Sequence, residues 1–178
     1  MALVLALGEE AAPAIADLVR DCLSHHAAPA SSAADWERSK AATLVVVVEC
    51  DGDGEACEAA RKWMKTLRRS ECYANFSTSI HRRVAVLALA RSVCANSAAM
   101  LGSSEKYAGG GKVLQTLISN GCTRLVPLGK TEVELEPVET YVDSWVQTII
   151  AALDAGDMEV SRGGVCFTRV GFVSAEVG

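Results

Sequence analysis

Apolar residues along this chain fall into short continuous runs separated by stretches with a 3- to 4-residue period, as buried strands alternating with amphipathic helices do. Met1–Leu7 (MALVLAL) is the first run and stops at Gly8. Pro13 suits a first helical turn, and Ile15, Leu18, Val19, Cys22 and Leu23 then recur at helical spacing. His26–Ala34 (HAAPASSAA) is a small-residue loop enclosing a short edge strand. Thr43–Val48 (TLVVVV) is the plainest strand, and its unbroken valines predict a central position covered on both faces. Asp51–Gly54 (DGDG) breaks it, and Glu55–Arg69 reads as a helix with Ala59, Trp63 and Leu67 on one face. Arg83–Ala90 (RVAVLALA) is another buried strand. A helix ending in Lys112–Asn120 stops at Gly121, the expected C-terminal cap. Thr123–Leu128 is a strand, and Val138–Leu153 a last helix with Trp145, Ile149 and Leu153 inward.

Connections too long for hairpins imply right-handed βαβ crossovers and a doubly wound three-layer α/β/α sandwich. Ligands of such folds bind at the carboxyl ends of the strands. Those ends are Gly8–Ala12, Cys50–Glu55, Ala90–Asn96 and Gly129–Glu132. The main domain is expected over residues 1–155, with 156–178 as a C-terminal extension. Val165–Val173 (VCFTRVGFV) alternates, and reads as an extra strand or hairpin outside the repeating pattern.

Composition narrows this picture. The 178 residues are 50% hydrophobic but only 5% aromatic, so the core is built from Ala, Val and Leu. A net charge of −5 argues against nucleic-acid and anionic-membrane binding. No apolar run approaches the ~20 residues of a spanning helix. Eight of the 17 Lys and Arg residues lie between Arg61 and Arg91, whereas Thr131–Ser161 carries eight acids and neither base. The acidic 132–143 region is therefore either a solvated surface or a docking face for a protein partner.

The seven cysteines form no C-x-x-C pair, and Met1–Gly8 is too short and uncharged for a signal peptide, so a reduced, cytoplasmic protein is expected. Gly109-Gly110-Gly111-Lys112 fails the phosphate-loop pattern at Lys106 and Val113 and reads as a flexible helix entry. Asp51–Gly54 lacks the further ligands of a calcium loop. Cys22-x-x-His25 has no second ligand pair, and His26 and His81 add none; no metal site is predicted. No G-x-S-x-G elbow marks a nucleophile, and no catalytic constellation emerges.

The order of motifs from Val45 to Leu153 resembles the flavodoxin-like FMN domain of diflavin reductases and the flavodoxin portion of the wybutosine-synthesis enzymes. Cys50–Gly54 followed by Trp63-Met64 is similar to that family's T-Y-G-x-G-D-P loop and W-L helix. Leu87–Cys94 (LALARSVC) is similar to its F-G-L-G-N-x-x-Y strand end. Gly111-Lys112, Leu117, Gly121-Cys122 and Pro127-Leu128-Gly129 follow its G-K…L…G…P-L-G run, with Trp145 in the final helix. The resemblance implies a flavodoxin-like fold with a five-stranded parallel sheet in the order 2-1-3-4-5. It also implies an FMN site at Gly8, Glu9, Glu10, Ala11 and Ala12 (phosphate), Cys50, Asp51, Gly52, Asp53 and Gly54 (second loop), and Ala90, Arg91, Ser92 and Cys94 (third loop).

Departures from the family pattern cluster at that site. The S/T-x-T-G-x-S/T phosphate loop is replaced by Leu7-Gly8-Glu9-Glu10-Ala11-Ala12-Pro13, without hydroxyls. Glu9 and Glu10 facing a phosphate at about 4–6 Å would cost on the order of 3–4 kcal/mol per pair. Alternatively they are simply acids near a helix N-terminus. Cys50 and Cys94 stand where aromatics would sandwich the flavin. Both cysteines, with Cys57, are candidates for a thiolate site or for filling a vacated pocket. The expectation is a flavodoxin-like protein with weak or absent FMN binding, acting as a protein-interaction module derived from an electron-transfer domain. The alternative is an FMN-binding electron-transfer domain with an atypical phosphate loop, its acidic 132–143 region facing a redox partner.

Overall fold

The computed structural model describes residues 2–24, 27–28, 42–68, 82–90, 105–133 and 137–162, the side chains of the last stretch through 155. Six strands form one parallel sheet: β1 (Ala2–Leu7), β2 (Ala27–Ala28), β3 (Thr43–Cys50), β4 (Arg83–Ala90), β5 (Thr123–Arg124) and β6 (Gly129–Glu132). Their order is β2-β1-β3-β4, with β5 and β6 both on the free edge of β4. This is the expected 2-1-3-4-5 arrangement with the fifth strand in two pieces. Pro127 has no N–H to give to a ladder and interrupts the predicted Thr123–Leu128 strand. The short edge strand expected within His26–Ala34 is β2.

Among the described residues four α-helices cover the sheet: α1 (Ala11–Leu23), α2 (Glu58–Leu67), α3 (Ala108–Ser119) and α4 (Val138–Arg162). Alternation along the central strands divides the core in two. Leu44, Val46, Val48 and Cys50 of β3 face α2 and α3, beside Trp63, Leu67, Val113 and Leu117. Val45 and Val47 face α1 and α4, beside Val19, Leu23, Val142, Trp145 and Ile149. Every residue of β3 is buried, so its lack of polar alternation follows from cover on both faces.

Two helix ends depart from the reading of the sequence. α2 begins at Glu58 rather than Glu55, because Ala56 bridges back to Cys50 and the Cys57 N–H is given to the Glu49 carbonyl at 3.0 Å. α4 runs through Gly156 to Arg162, across the expected start of the C-terminal extension. The Val165–Val173 piece lies outside the described residues.

The third layer is pulled tight by glycine. Gly54 (φ 77°) turns the loop after β3, and its carbonyl accepts the Gly109 N–H at 2.7 Å. A side chain at Gly109 would enter the Glu55–Ala56 backbone, and one at Gly110 would meet the Ala88 methyl. A β-carbon at Gly111 would meet nothing within 4 Å. The glycine run is therefore the first turn of α3, packed against strand and loop, rather than a flexible entry. Gly109→Ala should lower stability by roughly 1–3 kcal/mol through overpacking. Gly111→Ala should raise it by about 0.5–1 kcal/mol through helix propensity. Urea denaturation of the two variants distinguishes the positions.

Candidate functional site

β1 ends at Leu7, opposite Val48, and the next residue of β3 toward the α1 face is Glu49. Its side chain is only 7% exposed and reaches the N-terminus of α1. There its carboxylate accepts the backbone N–H groups of Glu9 (3.3 Å), Glu10 (3.2 Å), Ala11 and Ala12 (2.7 Å). Pro13 follows and has no N–H. The unpaired donors of a helix start are thus consumed by one internal acid. A buried carboxylate requires such compensation, and the positive end of the helix dipole adds to it.

Gly8 makes this geometry feasible, since a β-carbon there would lie 2.5 Å from the Glu49 carboxyl carbon. Glu9 and Glu10 are exposed beside the cradle and form no side-chain cap on α1. The expected obstacle at this position is therefore corrected: the carboxylate inside the phosphate loop belongs to Glu49. A usable signal was a charged residue directly after TLVVVV, continuing the Val45–Val47 face toward a helix whose start lacks hydroxyls.

Cys50 repeats the arrangement on the opposite face. It is 1% exposed and lies against the first turn of α3, whose backbone N–H groups, Gly110 foremost, favour its thiolate. Consecutive residues of one strand point to opposite faces, so Glu49 fills the start of one helix and Cys50 that of another. Burial outweighs that influence and raises the Cys50 thiol to about 11. Burial also raises Cys57, whose thiol donates to the Leu7 carbonyl at 3.2 Å. Of the two alternatives, a thiolate site or filling, burial speaks for filling at both, since desolvation is the larger effect. Cys94 and the rest of the third loop, Arg91 and Ser92 included, lie outside the described residues. Ala90 ends β4, buried, with its carbonyl accepting the Val133 N–H at 3.1 Å.

The second loop is closed on itself. Asp51 Oδ1 accepts the N–H groups of Asp53 (3.1 Å) and Glu55 (2.9 Å), while its own N–H goes to the Glu55 carbonyl at 2.8 Å. Lys112 Nζ binds both Glu55 oxygens at 2.6 Å, fixing the loop to α3. Between this loop's helix and the cradle lies a cavity of about 210 Å³ lined by Gly8, Glu9, Glu10, Glu49, Cys57, Glu58 and Ala59. Its walls carry carboxylates and a neutral thiol. Those residues do not fit a phosphate: the N–H groups it would use are taken, and the surrounding charge repels it. Among the described residues no group of three His, Cys, Asp or Glu side chains is placed to hold a metal ion. Nor is any helix long and apolar enough to cross a membrane.

No protein-family model and no curated protein matches the sequence. The fold is matched by solved flavodoxins. A cysteine-to-alanine variant of flavodoxin from Pseudomonas aeruginosa is 16% identical, covers 86% of this chain and 98% of its own, and superposes with a TM-score of 0.66. Flavodoxin from Streptococcus pneumoniae TIGR4 is 15% identical over 84% of this chain and 97% of its own, with a TM-score of 0.58. Flavodoxin from Fusobacterium nucleatum, solved bound to flavin mononucleotide, is 13% identical over 84% and 96%, with a TM-score of 0.57. At such identities the likeness establishes a flavodoxin-like fold.

Two measurements check the cradle. Glu49→Leu should lose about 2–5 kcal/mol in urea denaturation, because it strands several N–H groups, and Glu49→Gln, which keeps an acceptor, distinctly less. Cys50 holds its proton to about 11 in the folded chain, above its ordinary value of 9.0. This contribution is complete below the unfolded-state pKa and is lost as pH rises through the folded one. Stability should therefore fall by roughly 2 kcal/mol between about pH 9 and 11, a fall that Cys50→Ala reduces.

Proposed function

We propose that this chain is a flavodoxin-like module in which an internal carboxylate stands in the place of a bound phosphate. FMN binding is weak or absent, and the scaffold of an electron-transfer domain serves protein interaction. The observation that carries this reading is Glu49, buried and receiving the N–H groups of Glu9 through Ala12. A phosphate seated there would have to expel that side chain, and Glu9, Glu10 and Glu58 would still line the approach.

A partner surface fits the acidic 132–143 region. Glu132 is held by Lys106 at 2.9 Å, so among the described residues the outward charge rests on Glu139 and Asp143 of α4. Burial raises the Cys22 thiol, and the exposed acids Asp143 of α4 and Asp21 of α1 raise it further, so both helices carry negative charge near that thiol. A basic protein surface is the complement of that charge. Free thiols at Cys22, Cys50, Cys57 and Cys122 suit a reducing cytoplasm.

The comparisons favour a second reading, an FMN-binding electron-transfer domain with an atypical phosphate loop. One of the solved flavodoxins carries flavin mononucleotide. That reading requires Glu49 to swing out of the cradle when the ligand arrives.

Reconstitution separates the two. Protein mixed with excess FMN and desalted should run colourless, while Glu49→Ser, with a hydroxyl in place of the acid, should retain at least ten-fold more flavin absorbance. Stoichiometric flavin on the unmodified chain would establish the second reading instead. Equal colourlessness of both proteins would move the cause of lost binding to the self-closed second loop.

A further inference from the structure

Three of the basic residues that this acidic chain concentrates between Arg61 and Arg91 share one surface, apart from the cradle. Arg61, Lys65 and Arg68 stand four and three positions apart on α2 and its C-terminal cap, hence on one face, spanning about 10 Å. All three are exposed. They border a groove of about 250 Å³ shared with Lys112 of α3, with Ala56 and the buried Met64 in its lining. Arg68 and Lys112 also border a second groove of about 370 Å³, continued by Gln115, Thr116, Ser119 and Asn120. The two form one trench along the α2–α3 seam.

Internal pairing neutralises only part of this charge. Lys112 is bound to Glu55, and Arg61 lies 3.7 Å from Asp51 Oδ2. Lys65 and Arg68 have no ion pair among the described residues; Arg68 Nη2 reaches only the Thr116 hydroxyl, at 3.5 Å. The opposite layer carries the reverse sign, with Asp17, Asp21, Glu139, Asp143 and Asp154 exposed on α1 and α4.

We propose that this trench docks an acidic peptide segment of a protein partner. Cations spaced at helical turns match carboxylates two residues apart on an extended strand, since both repeats are near 6 Å. Guanidinium forks take carboxylates bidentately, and the Met64–Ala56 floor receives apolar side chains between them. Asp51 and Glu55 engage Arg61 and Lys112, so among the described residues the trench charge without an ion pair is confined to Lys65 and Arg68, a span that suits a short peptide segment with few carboxylates.

The probe is a fluorescein-labelled peptide of alternating glutamate and leucine, about twelve residues long, followed by anisotropy. It should bind at about 50 mM salt and weaken at least ten-fold by about 300 mM. The double variant Lys65→Glu with Arg68→Glu should bind at least ten-fold more weakly, with an unchanged circular dichroism spectrum and urea midpoint. Arg20→Glu, on the opposite layer, should bind as the unmodified chain does. The proposal is overturned if the peptide does not bind or if the double variant binds it equally. It also fails if an oligothymidylate of the same length binds more tightly than the peptide. Concentration-dependent self-association abolished by the same double variant would assign the trench to a second copy of this chain and likewise overturn it.

Discussion

A buried carboxylate at the start of a helix organises this molecule. Glu49 cannot sit inside the protein without donors, and the N-terminus of α1 cannot be enclosed without an acceptor. Each satisfies the other across the β1–β3 pair, and Gly8 leaves the room. The same constraint recurs with Cys50 and the first turn of α3, where a neutral thiol takes the place of an anion. The carboxyl end of β3 is thereby tied into both layers at once. In an open α/β sheet that end is where a ligand is ordinarily received. Here the strand supplies the occupant itself.

Most of the architecture could be read from the residues. The unbroken apolar runs of β1, β3 and β4 announced strands covered on both faces, and the spacing of Trp145, Ile149 and Leu153 gave the inner face of α4. The motif resemblance also closed in space: a β-carbon at Gly129 would touch the Trp145 ring at 2.8 Å, so the P-L-G run and the last-helix tryptophan are one packing unit. Boundaries failed where tertiary bonds overrode local pattern. Cys57 gave its N–H to Glu49, which delayed α2, and Gly156 did not stop α4. The decisive site residue was not legible locally, because it is remote in sequence from the loop it fills. The side chain that enters that loop comes from Glu49, some forty positions later in the chain.

Burial also decides the state of the thiols. A helix start lowers a thiol pKa when the sulfur is partly exposed to water. Cys50 has the helix donors but sits behind Tyr107, Val113 and Leu114, and its desolvation dominates. A position in the topology indicates which groups point at one another; burial sets the sign of the outcome. The likeness to solved flavodoxins speaks for shared architecture, and the chemistry of the cradle has to be judged on its own atoms.

The borders of the sheet carry one more implication. On one side the outermost described strand is Ala27–Ala28; on the other, β5 and β6 are separated by a stretch containing Pro127. Among the described residues neither margin presents a long flat ribbon onto which a foreign chain could be laid. The valine-rich segment of β3, which as an isolated peptide would have the makings of a fibril-forming stretch, is enclosed two lanes in from one margin and two from the other. The fold thus places its stickiest strand where it is paired on both sides.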